Sequence, residues 1–306
     1  MKGRVCIVGA GAMGGLLGYF LSVSIGEPAR FIVRRRSQAE RVSGEGVELR
    51  GLIEARYPAE AYLEPRPGMC DVAIIAVKAY DVGEAYRAAL KATGGGLIVI
   101  VSNGMGYEAG VDRARTVFGV SDYGATRVAD GVVEVRGLGS LVLGPSRSLE
   151  GYEWLLDALA GGGCDVRVVD DVEPYRWLKL AINASINPLT ALLRSRNRVI
   201  LESPHAKEIA EGLAREASTV AEARGVVMPR DPASYLEEVA RRTGDNYSSM
   251  LQDLLAGRRT EIDYINGYVA REAKRLGLEA PLNETLYLLV KALEEAMVRG
   301  LGQGNS

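Results

Sequence analysis

The sequence predicts an α/β chain in which an N-terminal doubly wound sheet is followed by an all-helical C-terminal domain. Three observations carry that expectation. A strand, a glycine turn, a helix and a second strand follow one another within the first 33 residues, which is how a doubly wound sheet begins. Short apolar runs bounded by turn residues then recur as far as Val169, the pattern of buried strands. From Asp171 onward those runs vanish and long helical periodicities replace them. The expected division is a sheet domain at 1–171 and a helical domain at 172–306.

Residues 4–8 read as a buried strand, 15–23 as an apolar helix, and 29–33 as a second strand ending at Arg34. The runs at 47–50 and 54–57 surround Gly51 and read as an antiparallel hairpin. Two more buried strands are expected at 71–77 and 97–101, with a helix at 81–91 between them. Residues 131–136 and 140–143 flank Gly137-Leu138-Gly139 and read as another hairpin, after which helix 149–160 and strand 165–169 close the region. The second half shows helical patterns at 173–186, 206–224, 232–242, 249–256, 261–276 and 284–299. Pro188, Gly225, Pro229, Gly244, Gly257, Gly277 and Pro281 punctuate them. The tail at 300–306 reads as frayed.

Composition narrows the function. The net charge is −2 and the longest basic block is Arg34-Arg35-Arg36, so neither nucleic acid nor an acidic membrane is an expected partner. Cys6, Cys70 and Cys164 are far apart and odd in number, which argues against a disulfide framework or a Cys-x-x-Cys metal site and suits the cytoplasm. The first apolar run leads into a glycine turn rather than a cleavage site, and no run reaches the ~18 apolar residues of a membrane span. His205 is the one histidine. Mechanisms built on paired histidines are therefore excluded, and protons must move through Lys, Tyr, Glu or Cys.

Gly9-Ala10-Gly11-Ala12-Met13-Gly14 has the spacing of a dinucleotide fingerprint and follows a strand directly. Gly9 permits the turn, Gly11 lets backbone approach a pyrophosphate, and Gly14 allows close helix–strand packing. The competing reading is a tight turn that holds no phosphate. Where the second strand ends, an acidic residue normally binds ribose hydroxyls, yet Arg34 stands there. A guanidinium pairs with a 2′-phosphate, so NADPH is the expected cofactor, with NADH possible. Arg35 and Arg36 read as a solvated basic loop.

Lys179, Asn183 and Asn187 recur every four residues among Leu178, Leu180, Ala181, Ile182, Ala184 and Ile186. This spacing sets one polar stripe on an otherwise apolar helix. Burial would poise Lys179 as an acid, while the amides could hold a carboxylate or a hydroxyl. A structural network remains the other reading. Ser249 with Gln252, and Thr260 with Asp263, have capping-box spacing. By spacing alone Ser249 is an N-cap and Glu261 a first-turn acid favoured by the helix dipole. Asn103 follows a buried strand, at the sheet edge where ligands bind, or serves as a turn residue.

The combination of Gly9–Gly14, Val77-Lys-Ala-Tyr80, Asn103-Gly-Met-Gly106, Lys179-Leu-Ala-Ile-Asn-Ala-Ser-Ile-Asn-Pro-Leu-Thr-Ala191, Ser248-Ser-Met-Leu-Gln-Asp-Leu254 and Thr260-Glu-Ile-Asp-Tyr-Ile-Asn-Gly267 resembles the ketopantoate reductase (2-dehydropantoate 2-reductase) family, from residue 4 to about 290. The resemblance implies a Rossmann domain followed by a helical domain with the active site in the cleft between them. It also implies NADPH-dependent reduction of 2-dehydropantoate to (R)-pantoate, on the route to pantothenate and coenzyme A. Position by position, it makes Lys179 the general acid and Asn183, Asn187, Asn197 and Ser249 substrate contacts. Asn103 would lie where cofactor and substrate meet, and Glu261 would support the nicotinamide end. Lys78 and Arg34 match cofactor positions, as do Ala125 and Asn246. A β-hydroxyacid dehydrogenase shares the helix lysine, and a catalytically silent NADP(H)-binding sensor or scaffold would keep the glycine turn; Asn187-Pro188 and the 261–266 run fit ketopantoate reductase better. A monomer and a homodimer are both compatible with the sequence.

Overall fold

The computed structural model describes residues 3–298; the frayed tail expected at 300–306 lies outside them. The chain separates into two compact units. One comprises the residues up to Ser102 together with Tyr107–Val172, the other Asn103–Gly106 together with the chain from Glu173 onward.

In the first unit the elements run β1 (Val5–Val8), α1 (Ala12–Ile25), β2 (Ala29–Ile32), α2 (Arg36–Glu45), β3 (Val47–Gly51), β4 (Ala55–Tyr57), β5 (Ala59–Tyr62), β6 (Val72–Ile75), α3 (Val82–Thr93), β7 (Leu97–Ile100), β8 (Thr116–Ser121), β9 (Gly124–Ala129), β10 (Val132–Gly137), β11 (Leu141–Gly144), α4 (Glu153–Gly161) and β12 (Val166–Val168). Eight strands form one sheet in the order β12-β11-β8-β7-β6-β1-β2-β5. Its pairs are parallel except β11 against β8. β1, β6 and β7 are buried along their whole length, the apolar signature of strands covered on both faces. A second sheet has the order β4-β3-β10-β9. α1 packs on both sheets: the Tyr57 hydroxyl donates to the Gly15 carbonyl, and a Cβ at Gly15 would stand 2.7 Å from Val133 Cγ1's geminal partner Cγ2.

Several expectations change here. The hairpin expected across Gly137-Leu138-Gly139 does not form, because β10 joins the small sheet beside β3 and β9 while β11 joins the large one beside β8 and β12. The glycines there carry the chain from one sheet to the other. The edge strand β5 alternates Ala-Glu-Ala-Tyr and so lacks the apolar run of a central strand. Arg36 opens α2 rather than lying in a loop, and Arg35, the residue before it, pairs with Asp130. The hairpin of β3 with β4 forms as expected.

The second unit is helical: α5 (Glu173–Leu192), α6 (Val199–Glu202), α7 (Pro204–Ala223), α8 (Pro232–Arg242), α9 (Ser249–Leu255), α10 (Asn266–Arg275) and α11 (Pro281–Val298). α5 is its axis. Trp177, Leu180, Ala181, Ala184 and Ala191 enter one apolar cluster, and Ile182, Ile186 and Leu189 enter another. Pro188 does not end the helix as expected but lies inside it. The expected helix at 261–276 is divided into a 3₁₀ turn at Ile262–Tyr264 and α10. Among the described residues no helix is long and apolar enough to cross a membrane.

Candidate active site

The glycine turn leaves β1 at Gly9, whose amide donates to the Ile32 carbonyl at 2.9 Å. Two of its glycines are required by the protein itself. Gly9 has φ +103°, and a Cβ on Gly14 would stand 1.9 Å from the Gly9 carbonyl oxygen. Gly11 is different: its φ is −89°, and the nearest atom to a Cβ there would be the Ala76 oxygen at 3.9 Å. Nothing in the polypeptide excludes a side chain at Gly11, so the cradle it leaves open suits an external group. The start of α1 has no side-chain cap and no acid in its first turn, leaving amide donors for an anion. Buried Gln38 of α2 donates to the Ala10 carbonyl at 3.0 Å and braces the turn. These features fit a dinucleotide pyrophosphate.

Arg34 sits just past β2 and meets two carboxylates. Its guanidinium grips Asp81 at 2.7 and 2.8 Å and reaches Glu84 at 3.4 Å. The Asp81 hydrogen bond raises the Arg34 pKa above its ordinary value. Lys78 stands at the N-cap position of the 3₁₀ turn at Ala79–Asp81, where its carbonyl accepts from the Asp81 amide at 2.8 Å. The sequence reading missed Asp81 and Glu84. Their signal lay in the acids directly after Val77-Lys-Ala-Tyr80. Ala125 lies on β9, pairs with Val135 in the small sheet and packs against the core; its methyl group offers no polar contact.

In the helical unit α5 presents Lys179, Asn183 and Asn187 at successive turns. Lys179 and Asn183 are partly exposed, and Asn187 is 7% exposed. The side-chain amides of Asn183 and Asn187 make no hydrogen bond among the described residues. Neither amide is among the buried polar atoms that lack a partner, so water or a bound ligand can reach both.

Ser249 is not the N-cap that its spacing suggested. That role belongs to Ser248, whose hydroxyl accepts from the Leu251 amide at 3.2 Å. It also lies 2.9 Å from the Thr190 hydroxyl and donates to the Asn187 carbonyl at 3.4 Å. Ser248 thus fastens α9 to α5 and leaves Ser249 exposed, one residue from the Asn187 end of the polar stripe. Glu261 is buried at 4% exposure and precedes the 3₁₀ turn rather than opening a long helix. The proposed Thr260–Asp263 box is absent as well, since Thr260 donates to Glu294 while Asp263 pairs with Arg259 and Lys291. The Asn103–Gly106 segment packs beside this turn: the Met105 amide donates to the Tyr264 carbonyl at 2.8 Å, and the Tyr264 amide to the Glu261 carbonyl at 2.9 Å. Asn103 itself is exposed, two residues before the Met105 that makes this contact.

Asn197 and Asn246 form a separate pair. The Asn197 amide nitrogen of the side chain donates to Thr243 Oγ1 at 3.0 Å, and its backbone amide donates to the Asn246 carbonyl at 3.0 Å. Asn197 Oδ1 is buried without a hydrogen-bond partner. Oδ1 can accept one further bond, and Nδ2 keeps its second N–H.

Comparison with known proteins shows the family. Residues 5–148 match the family model for ketopantoate reductase PanE/ApbA, and residues 171–294 match the model for its C-terminal part. A 2-dehydropantoate 2-reductase of Pyrobaculum aerophilum is 38% identical over 294 residues, covering 94% of this chain and 97% of that protein. A PanE/ApbA family ketopantoate reductase from Ralstonia eutropha JMP134 superposes with a TM-score of 0.86 at 26% identity, covering 96% of this chain and 99% of the other. D-mandelate dehydrogenase in a ternary structure with NADH and anilino(oxo)acetate shares the fold, with a TM-score of 0.88 at 24% identity over 96% of this chain and 99% of that one. On the strength of these matches across both units, the chain belongs to the ketopantoate reductase family.

Proposed function

We propose that this protein reduces 2-dehydropantoate to (R)-pantoate using NADPH. The observation that carries the reading is the α5 stripe, where Lys179 shares a helix face with two amides left open by their own protein. The family relatives of that name support the choice of substrate. A silent nucleotide-binding protein would give those open amides no purpose. Three buried free thiols support placing the reaction in the reducing cytoplasm.

The Gly9–Gly14 turn and the start of α1 would hold the cofactor pyrophosphate, with Lys78 and Arg34 as further contacts in the sheet unit; Asn246 is the cofactor-contact candidate of the helical unit. When bound, the cofactor supplies the hydride that reduces the C2 ketone. Lys179 Nζ stabilises the negative charge developing on the C2 oxygen and then delivers a proton to it. Asn183 and Asn187 donate to the substrate carboxylate or hydroxyl and fix the face of the ketone. Ser249 adds a donor near Asn187. Asn197 accepts from the substrate hydroxyl through Oδ1. Asn103 and Glu261 act together at the nicotinamide end.

NADPH is favoured over NADH because Arg34 is the cation placed to meet a 2′-phosphate. Asp81 and Glu84 hold that guanidinium and weaken the preference without reversing it.

Steady-state oxidation of NADPH with 2-dehydropantoate tests the reading. Lys179→Ala should lower kcat by ~10²–10⁴, the size of a general-acid contribution, with NADPH affinity nearly unchanged. A variant retaining most of its kcat would remove Lys179 from the chemistry. Arg34→Ala should weaken NADPH by about 1.5–3 kcal/mol and leave NADH nearly untouched; equal losses for both cofactors would make Arg34 structural. The adjacent serines should separate cleanly. Ser248→Ala should cost about 0.5–2 kcal/mol of stability as a lost cap, measured by denaturant unfolding. Ser249→Ala should raise KM for 2-dehydropantoate at unchanged stability. The opposite pattern would return Ser249 to a capping role.

A further inference from the structure

Pro188 creates a local problem inside α5. It has no N–H, so the carbonyl of Ala184, four residues earlier, loses its helical donor. Asn187, directly before the proline, must also stay helical where proline disfavours that conformation. Both residues adjoin the polar stripe, since Asn183 precedes Ala184 and Asn187 precedes Pro188.

The missing bond is replaced from another helix. Asn266, the first residue of α10 and fully buried, donates through Nδ2 to the Ala184 carbonyl at 2.9 Å. The same nitrogen donates to Asn283 Oδ1 at 3.0 Å. Asn283, on α11 and also fully buried, donates through Nδ2 to Glu216 Oε2 at 2.8 Å and to the Leu213 carbonyl at 3.2 Å, both on α7. Glu216 in turn accepts from the Leu282 and Asn283 amides at 2.9 Å each, which caps the start of α11. The direction of the chain is forced. Ala184 O and Leu213 O can only accept, so each asparagine must turn its nitrogen towards them. Four helices therefore converge, through one charged carboxylate and two amides, on the carbonyl that Pro188 leaves open.

We infer that Asn266 is a positioning residue for the reaction: by standing in for the N–H that Pro188 lacks, it sets the segment of α5 that aims Asn183 and Asn187. The inference rests on the proposed role of that stripe in holding the 2-oxo acid. Asn266 touches neither reactant; it acts through the helix backbone. Replacing Pro188 with alanine would restore a backbone donor to Ala184 O and make the Asn266 bond redundant.

That redundancy supplies the test. Three variants, Asn266→Ala, Pro188→Ala and the double variant, are compared with the parent by KM and kcat for 2-dehydropantoate, NADPH affinity and amide hydrogen exchange across 184–192. Asn266→Ala should raise KM by about tenfold to a hundredfold, the scale expected when an orienting group is displaced, and leave NADPH affinity within about twofold. Exchange across 184–192 should accelerate. Pro188→Ala should behave as the parent, and the double variant should recover both KM and slow exchange. An unchanged KM in Asn266→Ala would overturn the inference, and so would a raised KM that Pro188→Ala fails to reverse. If Asn266→Ala does not fold, Pro188→Ala is compared with the double variant: equal KM values support the inference and a raised KM in the double overturns it. Exchange that accelerates and is reversed, in a protein that does not turn over 2-dehydropantoate, would locate the error in the proposed substrate and not in the relay.

Discussion

One missing hydrogen-bond donor organises the helical unit. Pro188 lies inside α5, four residues before its end, in the helix about which two apolar clusters pack, and an interior proline ordinarily costs ~3 kcal/mol. The structure meets this cost with side chains. Asn266 completes the Ala184 carbonyl, Thr190 donates to the Ile186 carbonyl at 2.8 Å, and Ser248 reaches the Asn187 carbonyl. The last contact docks α9, and with it Ser249. The first docks α10, which follows the turn after Glu261. The bond that repairs the helix is the one from Asn266, and the Ser248 contact fastens α9 beside it. Asn266 spends its Nδ2 on Ala184 and Asn283 and leaves its own buried Oδ1 without a partner.

The sheet unit solves a different problem, which is how to hold anionic charge without spending side chains on it. The turn after β1 offers backbone amides and an open cradle at Gly11. The cationic side chain is placed at the end of β2, where it is already engaged with Asp81 and Glu84. On the reading proposed above, a 2′-phosphate competes with these carboxylates for Arg34. Discrimination between cofactors becomes a difference of two favourable interactions and not the simple presence of a guanidinium.

Much of this was legible in the sequence. The glycine turn, the central parallel strands and the polar stripe at Lys179, Asn183 and Asn187 each follow from local periodicity, and all appear in the structure at those residues. What local patterns could not carry was pairing between distant segments. β10 and β11 looked like a hairpin because hairpin signals are local, whereas each strand takes its partners from β3, β9, β8 and β12. Ser248 and Ser249 have nearly the same capping credentials in sequence, and the bonds of Ser248 with Leu251, Thr190 and Asn187 distinguish them. Pro188 was read as a helix break because its compensating donor is 78 positions away, at Asn266. Asp81 escaped notice for a similar reason: its partner Arg34 is 47 residues earlier.

The central claim is that the amides of Asn183 and Asn187 stand open because the 2-oxo acid completes them. Side-chain amide resonances report this directly. On titration of the NADP⁺-bound protein with 2-dehydropantoate, the NH₂ signals of Asn183 and Asn187 should shift and saturate together, while those of Asn266 and Asn283, committed to the relay, should stay in place. Shifts confined to other asparagines, with Asn183 and Asn187 unmoved at saturation, would contradict the account.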